Sequence, residues 1–218
     1  KIKTAKLRIA KLQVKNAKKL AKRLKYNMIF ETIISTVNSQ GDAHVTPFGI
    51  QLQDGLVVIS PYKPSATLDN ILTTQYAVMN LTDDVRVFAG ALTRRQAWEL
   101  TPADKITGYR LTETLVHKEL KLVKINEDTL RPQLFLEVIH EVQHQAFLGF
   151  NRAQAAVIEL AVLVSRLNML TKDKVLSEMQ YLQIAVDKTA GERELQAWSW
   201  LTEKVINFYA QQAGENFA

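Results

Sequence analysis

The chain has 218 residues, no cysteine and a formal net charge of +6 at pH 7. Its length suffices for one large domain or two small ones, and the lack of cysteine excludes disulfides, thiolate metal sites and cysteine nucleophiles. No apolar run is long enough to span a bilayer and no secretory signal pattern opens the sequence, so we expect a cytoplasmic protein without a membrane span.

Positive charge is concentrated in residues 1–27. This segment holds nine lysines, two arginines and no acidic residue, which gives it +11, whereas the other 17 basic and 22 acidic residues leave the body at −5. Its amphipathic spacing would suit an acidic membrane surface or nucleic acid. We predict instead a basic extension outside the folded body, because Met28 stands directly before the first strand-like run. The body lacks a stripe of basic and aromatic residues, so no nucleic-acid partner is expected.

Residues 28–150 have the pattern of a β-barrel. Apolar and β-branched runs alternate with turn residues about every ten positions, as expected for short strands. The predicted strands are Ile29–Asn38, His44–Leu52, Leu56–Ser60, Tyr76–Asn80, Val85–Leu92 and Leu134–Phe147. A short helix is predicted at Ala66–Thr74, and Ala97–Thr101 is predicted as a loop whose tryptophan packs inward. Closely spaced antiparallel strands favour a barrel.

The pattern becomes helical in residues 151–218. Apolar residues recur at three- and four-residue steps after Asn151, which is a suitable N-cap residue. The predicted helices are Arg152–Leu170, Lys174–Lys188 and Glu192–Gln211. We therefore expect a C-terminal helical subdomain that follows the barrel.

The sequence HEVQH, from His140 to His144, matches the H-E-x-x-H pattern of zinc hydrolases, which requires a helix. Residues 134–147 instead alternate with the two-residue period of a strand. Two histidines at i and i+4 of a strand lie roughly 13 Å apart, too far to share one metal ion. Neither His44 nor His117 has a sequence context that marks a third ligand. We therefore predict half-buried strand histidines and no metal site, and keep a zinc hydrolase as the lower alternative.

The segment between the third strand and the short helix, residues 60–70, suits a phosphate group. Ser65, Thr67 and free backbone amides can donate hydrogen bonds, and Lys63 adds positive charge. A helix that begins near Thr67 directs the positive end of its dipole at an anion. The alternative is a polar hairpin loop followed by a capped helix.

The strand before this segment contains Thr46-Pro47-Phe48-Gly49. Gly49 permits close approach of the backbone to a planar ring, and flat apolar surface is available on Phe48 and Tyr62. Together with the polar segment, this pattern suits a planar ligand that carries a phosphate.

The succession of ETIISTVN, HVTPFGI, ISPYKPSATLDNI and YAVMNLTDDVRVF resembles the FMN-binding split-barrel superfamily, which includes the flavin reductases. Within it, the sequence is most similar to the flavoprotein family called domain of unknown function 447, known from methanogenic archaea and methylotrophic bacteria. FNRAQAAVIELAVLVSRLNML resembles the helix that follows the barrel in that family. The resemblance covers about residues 29–170 and implies an antiparallel split β-barrel of Greek-key type with a C-terminal helical appendage.

The resemblance also implies a homodimer with FMN at the interface between the barrels. Three residues are expected to line the isoalloxazine ring: Thr46, Phe48 and Gly49. Five are expected to surround the ribityl phosphate: Tyr62, Lys63, Ser65, Thr67 and Asn70. Asn80 is expected to close the pocket. Further candidates are Asn151 and Arg152, and Arg152 could equally pair with a carboxylate such as Glu159.

The function implied is an FMN-binding oxidoreductase of unknown substrate, in which the flavin transfers hydride or electrons. The occurrence of the family in methanogens and methylotrophs suggests, by analogy, a link to tetrahydromethanopterin-dependent one-carbon metabolism. No residue is assigned as catalytic. A non-catalytic flavin-binding or interaction protein is the alternative, and a nucleic-acid-binding function would rest wholly on residues 1–27.

Overall fold

The computed structural model describes residues 28–96 and 98–215, so the predicted basic extension, residues 1–27, lies outside the described residues. The strands are β1 (Phe30–Val37), β2 (Ala43–Gln53), β3 (Leu56–Ile59), β4 (Tyr76–Leu81), β5 (Leu100–Pro102), β6 (Tyr109–Leu111), β7 (Val116–Asn126) and β8 (Gln133–Gln143). The helices are α1 (Ala66–Thr74), α2 (Arg86–Thr93), α3 (Arg152–Val164), α4 (Lys172–Thr189) and α5 (Glu192–Glu215), with a 3-10 turn at Leu167–Met169.

Six strands close into a barrel in the order β1-β2-β3-β8-β7-β4, and every neighbouring pair is antiparallel. Three of these pairings, β1 with β4, β4 with β7 and β3 with β8, join strands that are distant in sequence. Because the start of β8 pairs with the end of β3, the connection between β7 and β8 lies beside the end of β3. The predicted antiparallel split barrel with a C-terminal helical part is confirmed.

The barrel interior is filled by aliphatic side chains from alternate positions of the strands. Ile34, Ile50, Val57, Leu120 and Leu136 are all buried in this core. Alternation arises because successive side chains of a strand point to opposite faces of the sheet. Burial of each such side chain contributes about 1.5–3 kcal/mol, which makes the barrel the rigid frame for the loops at its ends.

The prediction of a strand at Val85–Leu92 is wrong, because these residues form most of helix α2. Both sides of α2 are buried: Val87 and Phe88 pack with Ile33 of the barrel, while Ala89 packs with the C-terminal helices. A short helix buried on both sides has a nearly continuous apolar sequence, which periodicity cannot distinguish from a buried strand.

Three strands, β5, β6 and β7, are not predicted by the sequence pattern. β7 holds three lysines in eleven residues, so its sequence resembles a polar loop. β5 and β6 form a separate two-stranded sheet, and the predicted loop Ala97–Thr101 therefore enters a strand at Leu100. Ala97 itself lies outside the described residues, and Trp98 packs beside the cluster of Ile33 and Phe88 as expected.

The three C-terminal helices pack together and against α2. Asn151 caps α3 as predicted: its side-chain oxygen accepts the backbone N–H groups of Ala153 at 2.7 Å and Gln154 at 3.3 Å. α3 ends at Val164, before the predicted end at Leu170, and the 3-10 turn follows. None of the described helices is long and apolar enough to cross a membrane.

The HEVQH sequence begins in a strand, as predicted. β8 extends to Gln143, and His144 follows its last residue. Glu119 and Leu120 of β7 pair with His140 and Val138 of β8, so Ile139 is an extra residue that forms a β-bulge. Because adjacent residues of β7 point to opposite faces, the bulge turns His140 to the face opposite that of Val138.

Candidate functional site

The segment between β3 and α1 uses much of its hydrogen-bonding capacity within the fold. Ser65 is the N-cap of α1, where its hydroxyl accepts the backbone N–H of Leu68 at 3.4 Å. Thr67 is buried, and the buried Asn70 side chain donates to the hydroxyl of Thr36 in β1 at 2.9 Å. These side chains therefore hold α1 against the barrel, and the exposed side chains before the helix are those of Tyr62, Lys63 and Pro64.

The connection between β7 and β8 packs against the start of this segment. The backbone N–H of Lys63 donates to the carbonyl of Leu130 at 2.9 Å, and its amine lies 3.1 Å from the carbonyl of Asp128. Arg131 Nε donates to the carbonyl of Ser60 at 2.9 Å, and its guanidinium stands 4.7 Å from the centre of the Tyr62 ring. Two cations, Lys63 and Arg131, therefore meet at this end of the barrel.

Sequence reasoning did not include Arg131, although the residue supplies the arginine that the segment 60–70 lacks. The signal was weak because Arg131 follows Ser60 by seventy-one positions, and only the β3–β8 pairing brings the two together. The turn motif around Asp128 is recognisable by itself, since the Asp128 carboxylate accepts the backbone N–H groups of Leu130 and Arg131.

A cleft of about 360 Å³ lies beside these residues on the outer face of the barrel. It is lined by residues of β2 and β3, by the end of β7 and by the β7–β8 connection, including Ile29, Gly49, Gln51, Ser60, Asn126 and Arg131. A Cβ atom built on Gly49 would lie 2.8 Å from Cγ2 of Ile29, so glycine lets Ile29 cover the strand at the cleft wall.

Thr46 and Phe48 do not share the face of Gly49. Residues at i and i+2 of a strand point the same way, and Phe48 packs with the barrel core near the buried Ile50. The backbone carbonyl of Phe48 accepts the hydroxyl of Thr32 at 3.1 Å. The three predicted ring-lining residues therefore do not share a face: Gly49 lies at the cleft, and the side chains of Thr46 and Phe48 are turned towards the barrel interior.

Asn80, Asn151 and Arg152 are not among the residues that line this cleft. Asn80 is fully buried, and its amide binds the backbone N–H of Leu111 and the hydroxyl of Ser35. Asn151 donates its side-chain N–H to the carbonyl of Thr189 at 3.0 Å in addition to capping α3, and Arg152 is exposed. The structure thus gives the two asparagines roles within the fold.

The charges beside the cleft are mixed. Glu127 lies 3.6 Å from the Lys63 amine, with both side chains largely exposed. Hydrogen bonds from the backbone amides of Arg131 and Leu130 lower the pKa of Asp128 below its usual value. Asp128 is therefore ionised at neutral pH, with its carboxylate directed at the amides of its own turn. An anion at this cleft would be met by Lys63 and Arg131.

A second cleft, of about 400 Å³, lies between α2, β6 and α5. Its cations are already paired: Arg86 lies 2.6 Å from Asp84, and Arg193 lies 2.7 Å from Glu113. The hydrogen bond to Asp84 raises the pKa of Arg86 above its usual value. Because each guanidinium has a carboxylate partner, this cleft offers less to a phosphate than the cleft beside Arg131.

Comparison with known proteins identifies related sequences and folds. The family model described as protein of unknown function (DUF447), N-terminal domain, matches residues 30–145, and the model described as protein of unknown function (DUF447) matches residues 151–203. No curated protein matches this chain.

Two solved structures share the fold. The crystal structure of the FMN-bound protein MM1853 from Methanosarcina mazei superposes with a TM-score of 0.69 at 18% identity, over 81% of this chain and 94% of that one. A candidate flavin reductase with a split barrel domain from Shewanella frigidimarina NCIMB 400 superposes with a TM-score of 0.50 at 12% identity, over 62% of this chain and 80% of that one. At these identities the likeness establishes the split-barrel fold.

Proposed function

This chain belongs to the DUF447 family, and we propose on that basis that it is an FMN-binding flavoprotein that works as an oxidoreductase. The shared fold with the FMN-bound protein from Methanosarcina mazei supports the cofactor. The observation in this chain that carries the proposal is the pair of cations, Lys63 and Arg131, beside a cleft whose wall contains Gly49.

The donor groups at this cleft fit the phosphate of FMN. Arg131 commits Nε to the carbonyl of Ser60, which orients the guanidinium and leaves its two terminal nitrogens for an anion. A guanidinium matches phosphate oxygens in a bidentate geometry, and Lys63 adds a second charge. Tyr62, stacked on Arg131, adds aromatic surface beside them. A bound flavin would supply hydride or electron transfer, while these residues of the chain would bind and orient it.

The same cleft supports the proposal of a homodimer. Three large apolar side chains at its rim are exposed, namely Ile29 at 56%, Tyr62 at 65% and Leu130 at 67%. Exposed apolar groups that surround a ligand cleft are typical of an interface. We propose that a second copy of the chain covers this rim and completes the flavin site.

FMN binding is tested by the visible absorbance of the purified chain and by identification of the flavin released on heating. We expect one FMN per chain. Arg131→Gln and Lys63→Ala should each weaken FMN affinity by about tenfold or more, because a hydrogen bond to a charged group contributes about 1.5–3 kcal/mol. Arg166→Ala, at an exposed position after α3, is the control and should leave the titration curve unchanged.

A colourless protein that takes up no added FMN would contradict the flavoprotein proposal. Equal titration curves for Arg131→Gln, Lys63→Ala and the parent would remove this cleft from the site. If the protein retains FMN but oxidises neither NADH nor NADPH with any acceptor, the oxidoreductase part fails and the non-catalytic flavin-binding role remains.

The dimer is tested by light scattering, with an expected mass of twice that of the chain. Leu130→Asp should shift the protein to the monomer, because a charge at the rim would have to lose its hydration in the interface. Met169→Asp, at an exposed apolar residue of the 3-10 turn, serves as the matched control and should remain dimeric. A monomeric parent protein would refute the proposed interface.

A further inference from the structure

We propose that this chain binds one divalent transition-metal ion at a cluster of two histidines and two carboxylates on the outer face of the barrel. The cluster consists of Asp104, His117, Glu119 and His140, and the ligand atoms of these four residues all lie within 4.8 Å of one another. It contains none of the residues that line the cleft beside Arg131. The metal-binding proposal is therefore independent of the flavin proposal.

Strand pairing assembles three of the four ligands. His117 and Glu119 stand two residues apart in β7, so their side chains share a face. The bulge at Ile139 places His140 of β8 opposite Glu119 and on that same face. Bulges are over-represented beside functional sites because they redirect a side chain in this way.

The fourth ligand comes from the connection between β5 and β6, which Glu119 holds in place. Glu119 Oε1 accepts the backbone N–H of Asp104 at 2.6 Å, and its two oxygens accept the N–H of Lys105 at 3.1 and 3.0 Å. Oε1 accepts both amides, whereas Oε2 accepts only that of Lys105, so Oε2 retains a lone pair with which Glu119 can coordinate an ion. The arrangement fixes the position of Asp104 relative to the strands.

Three of the six distances between the side chains of the cluster are close to those around a small cation. His117 Nε2 lies 3.4 Å from Glu119 Oε1 and 3.6 Å from Asp104 Oδ2. His140 Nε2 lies 3.1 Å from Asp104 Oδ2. Ligands bound tetrahedrally at about 2.0–2.2 Å from a zinc ion stand roughly 3.3–3.6 Å from each other, so these three distances suit a shared ion. The other pairs, which lie within 4.8 Å, would close on the ion by shifts of up to about 1 Å.

A partner outside the four ligands orients one of the imidazoles. His117 Nδ1 and His144 Nε2 are 2.8 Å apart, and the two rings stack with centroids 5.1 Å apart. When Nδ1 of His117 carries the proton and donates to His144, the Nε2 lone pair of His117 points into the cluster. Metal-binding histidines usually have such a hydrogen bond at the second nitrogen. Three of the four histidines of the chain thus belong to one connected group.

Charge and burial favour a divalent ion of intermediate softness. His117 and Glu119 have no side-chain exposure, and a buried carboxylate requires a compensating partner. The two carboxylates carry −2, which a divalent cation with two neutral imidazoles would balance. Magnesium and calcium prefer sites made only of oxygen, whereas zinc and its neighbours accept imidazole together with carboxylate. We therefore assign the site to a first-row ion of the zinc type.

The cluster is open to solvent on one side. The side chains of Asp104 and His140 are 48% and 26% exposed, in contrast to the other two ligands. Arg110, a cation close enough to influence Asp104, donates to the carbonyls of Leu111 and Thr112. An ion can therefore enter from the side of Asp104 without unfolding the strands.

The experiment is calorimetric titration of Zn²⁺ into the full chain after dialysis against a chelator, with Mg²⁺ titrated for comparison. We expect one Zn²⁺ per chain and no uptake of Mg²⁺. Asp104→Asn and His140→Ala alter the two exposed ligands, so they should fold and should weaken Zn²⁺ affinity by about tenfold to 100-fold or more, because loss of even an outer-shell partner has an effect of that size. His144→Ala should weaken it about tenfold.

His44→Gln is the matched control, because His44 lies in β2 and outside the cluster. Its Zn²⁺ affinity should equal that of the parent. Circular dichroism spectra establish that each variant is folded. If the parent takes up no Zn²⁺, or if His140→Ala and Asp104→Asn bind Zn²⁺ as tightly as the parent, the cluster is a hydrogen-bonded network without a metal ion and the proposal is refuted.

Discussion

Gly90→Ala is expected to lower the free energy of unfolding by about 3 kcal/mol or more, at the upper end of what overpacking costs. A Cβ atom on Gly90 would lie 2.3 Å from the backbone carbonyl oxygen of Arg95 and 2.7 Å from Cζ3 of Trp98. The carbonyl cannot move freely, because the chain turns back at the end of α2, where the N–H of Arg95 donates to the Gly90 carbonyl. The gain of about 1 kcal/mol in helix propensity offsets only part of this clash.

The Gly90→Ala substitution should destabilise more than α2, because this helix packs against both the barrel and the C-terminal helices. Chemical denaturation followed by circular dichroism measures the effect. Gly108→Ala is the matched control. A Cβ atom on Gly108 would lie 3.9 Å from Val78 Cγ2 and 4.0 Å from the side chain of Ile106, which is ordinary van der Waals contact. If the two variants had the same denaturation midpoint, the close packing of Arg95 and Trp98 against Gly90 would be contradicted.

Asn80→Ala is expected to cost about 3 kcal/mol of unfolding free energy, because it leaves buried polar partners without hydrogen bonds. Asn80 Oδ1 accepts the N–H of Leu111 at 2.8 Å, and Nδ2 donates to Ser35 Oγ at 3.0 Å and to the carbonyl of Ile33 at 3.3 Å. These bonds join β1, β4 and β6 at a fully buried position. The side chain is therefore a structural link between the barrel and the small sheet.

This prediction also tests the expectation that Asn80 closes the cofactor pocket. Denaturation and FMN titration of the same variant separate the two roles. A structural role predicts a lower midpoint with FMN affinity unchanged in the folded protein. Unchanged stability with weaker FMN binding would instead place Asn80 at the cofactor. Asn207→Ala, on the exposed face of α5, is the control for removal of an asparagine side chain.

The sequence predicted those elements whose residue types or periodicity identify them locally. β1 is buried on both faces, but its apolar and β-branched residues, which end before the turn at Gly41, indicate a strand. α1 was predicted at Ala66–Thr74 with the bounds that the structure has. The apolar run of α2 suits a buried strand as well as a buried helix, and the lysines of β7 reduce its apolar character, so these two elements were not identified.

The candidate phosphate site was only partly predictable. Lys63 was identified from its neighbours in sequence, whereas Arg131 reaches the same place through the pairing of β3 with β8. Ser65 was predicted to bind the phosphate, but its hydroxyl serves as the N-cap of α1. Capping and phosphate binding use the same residue types, so sequence alone does not distinguish them.

By itself, the sequence determined the family, the barrel followed by helices, and the strand conformation of His140–Gln143. Which histidines lie close together is determined only by the tertiary structure. His140 reaches His117 and Glu119 through the register of β7 with β8, and a single extra residue, Ile139, determines the face on which it stands. Side chains alternate with a period of two, so a shift of one residue reverses the face, and that shift depends on the partner strand.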